Sequence, residues 1–432
     1  MKRIALTLSI LLLLPVLSFA GNDSSANEAP VARKKEIVKT GWNLGMLPAF
    51  NYDTELGFMS GALGQIYHYG DGTMYPNYRH KIKVLACVYS KGSKQVSLDY
   101  DTKYLLPGKR VTALFEYMDN PLTDFFGFNG SVSPYYAQLD QYIPENGGSG
   151  IAFYSDHMKR LRTRLDLQGK LAKNLTWLGG FSYSYQQYSD ISLKSYEGTE
   201  TLFHQYVASG LIPEEDLYGH RAELKGGLVY DSRDLESNPS RGLYASAAMK
   251  AGVSYSTAAK ASLMLALDLR QYVPLVPGRL TFAYQLAYEG LMAGSLPFYA
   301  LPDYTVRGVL GNRITGTGSG VAWASADLRW NMASFRAFKQ NFLVGLMGFA
   351  DAGAVIQPYK LEAQMRLGNY TVSGYRSIFD SETSAKERVH ASTGGGVYFS
   401  MNSNFVCTIQ LAKPFNVLDG KVTALFKVGF SF

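Results

Sequence analysis

Charge, thiols and long apolar runs are all scarce in this chain. Of its 432 residues only 18% are charged, against roughly 25% in soluble domains. That excludes a coiled coil, a solvated disordered chain and a highly charged nucleic-acid binder. Two cysteines, Cys87 and Cys407, exclude a disulfide scaffold and are too few for a zinc ribbon or an iron–sulfur cluster. The histidines His68, His80, His157, His204, His220 and His390 show no paired metal spacing, so no metal or cofactor is expected. Beyond residue 40, polar residues or glycines interrupt every apolar run long before the roughly 20 residues of a membrane helix. The formal charge of +7 falls to +5 once Lys2 and Arg3 leave with the first twenty residues, a balance too small to name a partner.

Those first twenty residues read as a signal peptide. Lys2 and Arg3 give a basic start, Ile4 to Leu17 an apolar stretch, and Ser18-Phe19-Ala20 small residues at both cleavage-determining positions. Residues 21–40 are polar and without periodicity, as in a short flexible leader. Residues 41–432 form the remaining unit.

That unit is rich in glycine and tyrosine, and its dominant signal is alternation. In Arg160 to Leu171, the set Arg160, Arg162, Arg164, Asp166, Gln168 and Lys170 alternates with mainly apolar Leu161, Leu165, Leu167 and Leu171, a period of two that puts charge on one strand face. Gln95 to Tyr104 and Ser262 to Arg270 repeat the pattern. Alternation alone fits a soluble sandwich as well as a membrane barrel. Three features select an all-β, transmembrane antiparallel β-barrel. Apolar faces end in aromatics such as Trp177, Tyr183, Tyr284 and Tyr288, as interfacial girdles do. Short turns such as Pro107-Gly108 and Pro277-Gly278 alternate with long polar loops near 118–158, 186–220, 291–319 and 353–388. The chain closes on a segment whose Val422, Ala424, Phe426, Val428, Phe430 and Phe432 share one face, which resembles the C-terminal mark of outer-membrane barrels. The segments count to about 16 strands, starting near 41, 56, 79, 94, 109, 160, 175, 221, 243, 261, 279, 320, 341, 389, 405 and 421. An even count with a periplasmic start puts both termini in the periplasm and the long loops outside. Strand 1, with Gly41, Gly45 and Pro48, is the weakest.

The second half resembles the barrel of the BamA/TamA superfamily, the bacterial surface antigen domain. The residues that carry the resemblance are Val306-Arg307-Gly308 between strands 11 and 12, Pro297-Phe298-Tyr299 upstream of it, and Tyr230-Asp231-Ser232-Arg233-Asp234 followed by Pro239-Ser240-Arg241-Gly242 in a periplasmic turn. Asp327-Leu328-Arg329 in strand 12 and Phe349-Ala350-Asp351-Ala352-Gly353 in strand 13 complete the set. Strand parity puts Asp327, Arg329, Phe349 and Asp351 inward. A loop folding back into the lumen then brings Arg307 to Asp351, and secondarily to Asp327, with Gly308 allowing the tight turn. Val309 stands where the family prefers an aromatic, and Lys427 where its assembly signal has a glycine. The resemblance implies periplasmic POTRA domains, for which the leader leaves no room, so a barrel without them is expected.

The resemblance further implies an outer-membrane location in a Gram-negative bacterium and a role in protein insertion or translocation through a seam between strands 1 and 16. Expected partners are outer-membrane lipids, unfolded outer-membrane proteins and periplasmic or lipoprotein accessory subunits, and no nucleic acid. The alternatives are a passive or selective pore, with Arg160, Arg162 and Arg164 lining it, and a structural barrel that displays its loops. In the pore alternative's rival form, those arginines pair with acids on neighbouring strands such as Asp99 and Asp101. An enzyme is not expected: Ser155-Asp156-His157 is a sequence run whose adjacent side chains form no relay, and Gly316-Thr317-Gly318-Ser319-Gly320 lacks the Lys-Ser/Thr ending of a phosphate loop. By parity Cys87 faces inward and Cys407 outward, which disfavours a disulfide.

Overall fold

The computed structural model describes residues 36–53, 57–90, 92–129, 153–191, 193, 201–302, 306–309, 318–366 and 388–432. The expected signal peptide and most of the expected leader lie outside these residues. The rest is one 16-stranded antiparallel sheet in which every strand pairs with its neighbours in sequence. The strands are β1 (Trp42–Asp53), β2 (Gly57–His68), β3 (His80–Tyr89), β4 (Lys94–Leu106), β5 (Lys109–Asp124), β6 (Ser155–Ala172), β7 (Leu175–Ser189) and β8 (Tyr218–Asp231). They continue as β9 (Gly242–Tyr255), β10 (Ala259–Val276), β11 (Leu280–Gly294), β12 (Gly318–Ala337), β13 (Gln340–Pro358), β14 (His390–Met401), β15 (Phe405–Pro414) and β16 (Thr423–Val428). The largest departure from the expected starts is β6, which begins at Ser155, five residues early, because the bulge at Asn120/Thr123 carries the β5–β6 ladder up to Asp124 and Ser155.

Tight turns gather at one end of the sheet. The β12–β13 turn holds Phe338 and Lys339 at φ 50° and 58°, and the β14–β15 turn holds Asn402 and Ser403 at 52° and 63°, two consecutive left-handed residues matching the twist of a hairpin. Long loops gather at the other end. There Phe125, Phe128, Phe203, Tyr206, Phe298 and Tyr359 form a buried aromatic cluster with helix α1 (Leu202–Ala208). Phe125 and Tyr206 meet edge to face at 5.2 Å, and Phe128 and Tyr359 at 4.9 Å. Helix α2 (Leu361–Arg366) locks the cluster with polar bonds: Gln364 Nε2 donates to Phe128 O at 2.9 Å and to Tyr206 Oη at 3.0 Å. Asn129 and the Tyr359 main chain exchange two bonds of 2.7 Å.

The two ends of the sheet meet without a ladder. Among the described residues no hydrogen-bonded register joins β1 to β16. Instead the inner face of β1–β3 lies over the outer face of β14–β16, like the edges of a scroll. Leu63 and Leu85, on the same faces as the inward Gln65 and Lys83, pack with Met401, Phe405, Cys407 and Val428, which share parity with the lipid-type exposed residues Val397, Ile409 and Phe426. A Cβ at Gly45 would lie 3.2 Å from Met401 Cε and from Phe405 Cδ2. This overlap changes the surroundings of the cysteines, not the expectation that they stay unpaired. Cys407 does have outward parity, yet it is buried beneath β2, so the inner face that carries Cys87 and the outer face that carries Cys407 are the two that meet. Both thiols are free.

The final segment departs further from expectation. β16 ends at Val428, and Gly429 adopts φ 97°, a left-handed value that side-chain-bearing residues avoid. Phe430 and Phe432 therefore leave the outward face of Phe426 and enter the lumen, where Phe430 meets Tyr398 edge to face at 5.2 Å and Phe432 is buried against Tyr272 and Ala283. The leader's last residues are also held: the Ile37 main chain exchanges two bonds of 2.9 Å with the Asn341 side chain, and Gly41 N donates to Gly70 O at 2.7 Å.

Candidate functional site

The inner faces of β12 and β13 bring two carboxylates together because their register sets Ser325 opposite Asp351 and Asp327 opposite Phe349. Both acids are buried, and Arg307 reaches them from the β11–β12 loop. Its Nε donates to Asp351 Oδ2 at 2.6 Å, and its Nη2 to Asp351 Oδ1 at 2.6 Å and Asp327 Oδ1 at 2.7 Å. Its main-chain N–H adds a bond to Asp351 Oδ2 at 3.1 Å. The guanidinium lies 3.8 Å from the Phe349 ring centre, so apolar surface and carboxylates fix its plane together. Ser392 Oγ, from β14, donates to the Arg307 carbonyl. Val306 and Val309 pack on Val321, Val355 and Trp323. Gly308 has φ 80°, and a Cβ there would lie 2.6 Å from Ala412 Cβ, so conformation and space both require glycine. Gly353 pairs with Trp323 and His390 across the neighbouring strands.

Arg329 extends this network to the end of the chain. Its Nη2 donates to Asp327 Oδ2 at 2.8 Å and to the main-chain oxygen of Phe432 at 3.3 Å, and its Cζ lies 3.9 Å from the Phe430 ring centre. One carboxylate, Asp327, thus joins the loop arginine to the arginine that holds the tail. The sequence offered a sign of this in Gly429, a glycine inside the alternating end segment.

The β8–β9 turn is held locally and at a distance. Asp231 accepts a two-pronged contact from Arg233, at 2.9 and 2.8 Å. Asp234 accepts the main-chain N–H of Leu235 and of Ser240, each at 2.9 Å. Pro239 leads into that return, and Gly242, at φ 108°, lets the chain pass where a Cβ would come within 2.4 Å of Ser232 O. Sequence reading missed Glu236. It receives Arg110 Nη2 and Lys103 Nζ, each at 2.7 Å, from the β4–β5 hairpin, while Arg110 also holds Asp101 at 2.6 Å. Burial raises the Glu236 carboxyl, but Arg110 and Lys103 outweigh it and bring its pKa down to about 2. Next to it, Ser237 Oγ donates to Asn404 Oδ1 at 3.3 Å, and Asn404 Nδ2 donates to Pro76 O at 2.6 Å. Turns 69–79, 232–241 and 402–404, distant around the sheet, are thereby knitted into one strap.

The lumen arginines are paired, although not with Asp99 or Asp101. Arg160 and Arg162 share Glu116 at 2.8 and 3.3 Å, and Arg164 lies 3.5 Å from Asp166. The register of β5 on β6 sets Glu116 opposite Arg162, nearer than any acid of β4. Pro48 pairs with Ala62 within the β1–β2 ladder, on the strand whose other edge has no ladder. In the Ser155-Asp156-His157 run, His157 Nε2 meets Asp119 at 2.8 Å and Asp156 is buried on the opposite strand face. Among the described residues, no group of three or more histidine, cysteine or acidic side chains could hold a metal ion. Gly316 and Thr317 lie outside the described residues.

A 16-stranded antiparallel meander with alternating faces, and a loop arginine held by carboxylates on its inner wall, defines an outer-membrane type of β-barrel with an internally fastened loop. The Omp85 superfamily domain matches residues 90–432, and the chain belongs to that superfamily, whose barrels serve protein insertion and translocation at the outer membrane. Among solved structures, BamA from Haemophilus ducreyi lacking POTRA domains 1–3 is similar with a TM-score of 0.50 at 15% identity, over 90% of this chain and 70% of that one. CdiB from Acinetobacter baumannii follows with a TM-score of 0.43 at 11% identity, over 90% of this chain and 65% of that one. No curated protein sequence matches the chain significantly.

Proposed function

We propose that this barrel assists the insertion or translocation of proteins at the outer membrane of a Gram-negative bacterium, with its short-turn end in the periplasm. In this reading an unfolded outer-membrane protein offers a strand to the β1 edge, and periplasmic or lipoprotein subunits deliver it. The observation that carries the reading is the seam: among the described residues β1 and β16 present edges without a ladder, ready to template a strand, and the overlap is held by side-chain packing and a few hydrogen bonds, such as those of Asn341 with Ile37 and of Asn404 with Pro76. The Arg307 and Arg329 network ties β12, β13, β14, the loop and the tail together on the β16 side of that seam. A standing pore fits less well, because packed aromatics cover the long-loop end and the strap crosses the other.

The test is a reversible lock. A sulfur at position 405 would occupy the place of Phe405 Cγ, which lies 3.3 Å from a Cβ at Gly45, within reach of a disulfide. The Gly45→Cys, Phe405→Cys variant, made in a Cys87→Ser, Cys407→Ser background, should lose assembly of a client barrel in reconstituted vesicles when oxidised and regain it on reduction. Undiminished assembly by the oxidised form would overturn the reading.

A further inference from the structure

Along the outer wall, apolar side chains such as Leu165, Leu224, Leu267 and Leu328 stand exposed at alternate positions. The regularity breaks at the foot of β10–β13. The β10–β11 hairpin turns at Pro277 and Gly278, and the ladder between β11 and β12 ends with Leu280 opposite Trp330, whereas β12 and β13 run on to Phe338 and Lys339. The corner between the short hairpin and the long one holds a groove of about 600 Å³, lined by Val276, Leu280, Leu328, Trp330, Leu346 and Gly348, with Arg279 at its lip. Gly348 stands opposite Gly395, and a Cβ built at Gly348 would find nothing nearer than Gly394 O at 4.0 Å. The groove floor is therefore bare wall.

Arg279 is exposed, and its side chain makes no ion pair among the described residues. Only its main chain is engaged, through Val276 O and Asn331 N. Beside it the outward face carries Trp330 and the ring ladder Phe335–Phe342–Phe399, with centres 5.3 and 5.2 Å apart, the composition of a membrane interface. Charge at the foot and apolar lining above it form a polarity gradient along the strands. A phospholipid in the surrounding leaflet has the same gradient.

We propose that this corner binds one phospholipid. Its phosphodiester sits on the Arg279 guanidinium, whose planar fork suits phosphate oxygens, and one acyl chain runs up the groove past Leu328 and Leu346 over Gly348, filling the recess with van der Waals contact. The site requires only that the outer wall face lipid, and it is independent of the seam.

The test uses the full-length barrel, delipidated in maltoside detergent and titrated with phosphatidylglycerol while native mass spectrometry counts bound lipid. The parent should hold one lipid more tightly than the rest. Arg279→Gln should weaken that first binding about tenfold, as loss of a charge-assisted bond does, and Arg279→Lys should restore part of it. Gly348→Leu, filling open space, should weaken it similarly while heat-modifiable mobility shows an intact barrel. Diacylglycerol, which lacks the phosphate, should not compete. Unchanged first binding in either Arg279→Gln or Gly348→Leu would overturn the proposal.

Discussion

Replacing Arg307 by methionine should destabilise the barrel through the carboxylate it leaves behind rather than through lost packing. Asp327 would keep Arg329 at 2.8 Å. Asp351, 4% exposed, would keep only the main-chain N–H of residue 307 from its present bonds with the loop. Breaking a buried pair on one side costs about 3–5 kcal/mol, and only one acid is stranded, so the lower half of that range is expected. Arg307→Lys supplies one ammonium where a fork now bridges two acids, and should cost about 1–3 kcal/mol. The informative variant is the double, Arg307→Met with Asp351→Leu. It removes both charges and leaves Asp327 with Arg329, so it should be more stable than the Asp351-retaining single by at least about 2 kcal/mol. Urea unfolding from phospholipid vesicles measures these differences. Trp323, packed against Val306 and Val309, should report release of the loop before the global transition. A double variant as unstable as the two singles combined would show that the arginine and Asp351 are not coupled, and a cost below about 1 kcal/mol for Arg307→Met would refute the stranded-charge argument.

Two further outcomes follow from the same contacts. Because the Glu236 carboxyl is held near 2, below the ordinary glutamate value of 4.5, its contribution is present above about 4.5 and is lost as pH falls toward 2. Glu236→Gln should remove that acid sensitivity, at a cost on the order of 2 kcal/mol after screening, and hydrogen exchange across 232–241 should quicken at neutral pH; equal exchange in parent and variant would count against the strap. Arg329→Ala should free the tail from the lumen, since the ring contact and hydrogen bond together hold it by about 1–2 kcal/mol. Maleimide labelling of Ser431→Cys, in a background free of Cys87 and Cys407, should then accelerate about tenfold; an unchanged rate would mean that Arg329 does not hold the tail.

Strand content and count were legible because alternation is a local property that segments such as 160–171 and 262–270 carry on their own, while strand 1 was the faintest. The meeting of Arg307 with Asp327 and Asp351 was also readable, since parity fixes which faces of β12 and β13 look inward and the loop is the adjoining one. Contacts across the mouth were not readable. Glu236 and Arg110 lie 126 residues apart on turns whose spatial closeness depends on how the whole sheet curls. The tail misled because period two continues through Phe430 and Phe432 while a single backbone angle at Gly429 sends them to the other side. Glu116 was passed over for a similar reason: parity tells which face a charge occupies but not which acid the register will set beside it.

If the barrel admits client strands as proposed, the scroll-like overlap would give it an adjustable girth. In a barrel closed by a ladder, widening breaks a row of main-chain bonds at once, each contributing about 0.5–1.5 kcal/mol, and circumference changes only in whole strands. Here the closing contact is an apolar plane of Leu63, Leu85, Met401, Phe405 and Val428, pinned at its foot by a few hydrogen bonds, among them Asn404 to Pro76 and Asn341 to Ile37. Once those few bonds let go, such a plane would yield by small displacements, exchanging one apolar contact for the next without breaking a ladder. In the reading proposed above, a guest strand would be admitted while the fifteen ladders between the resident strands stay intact.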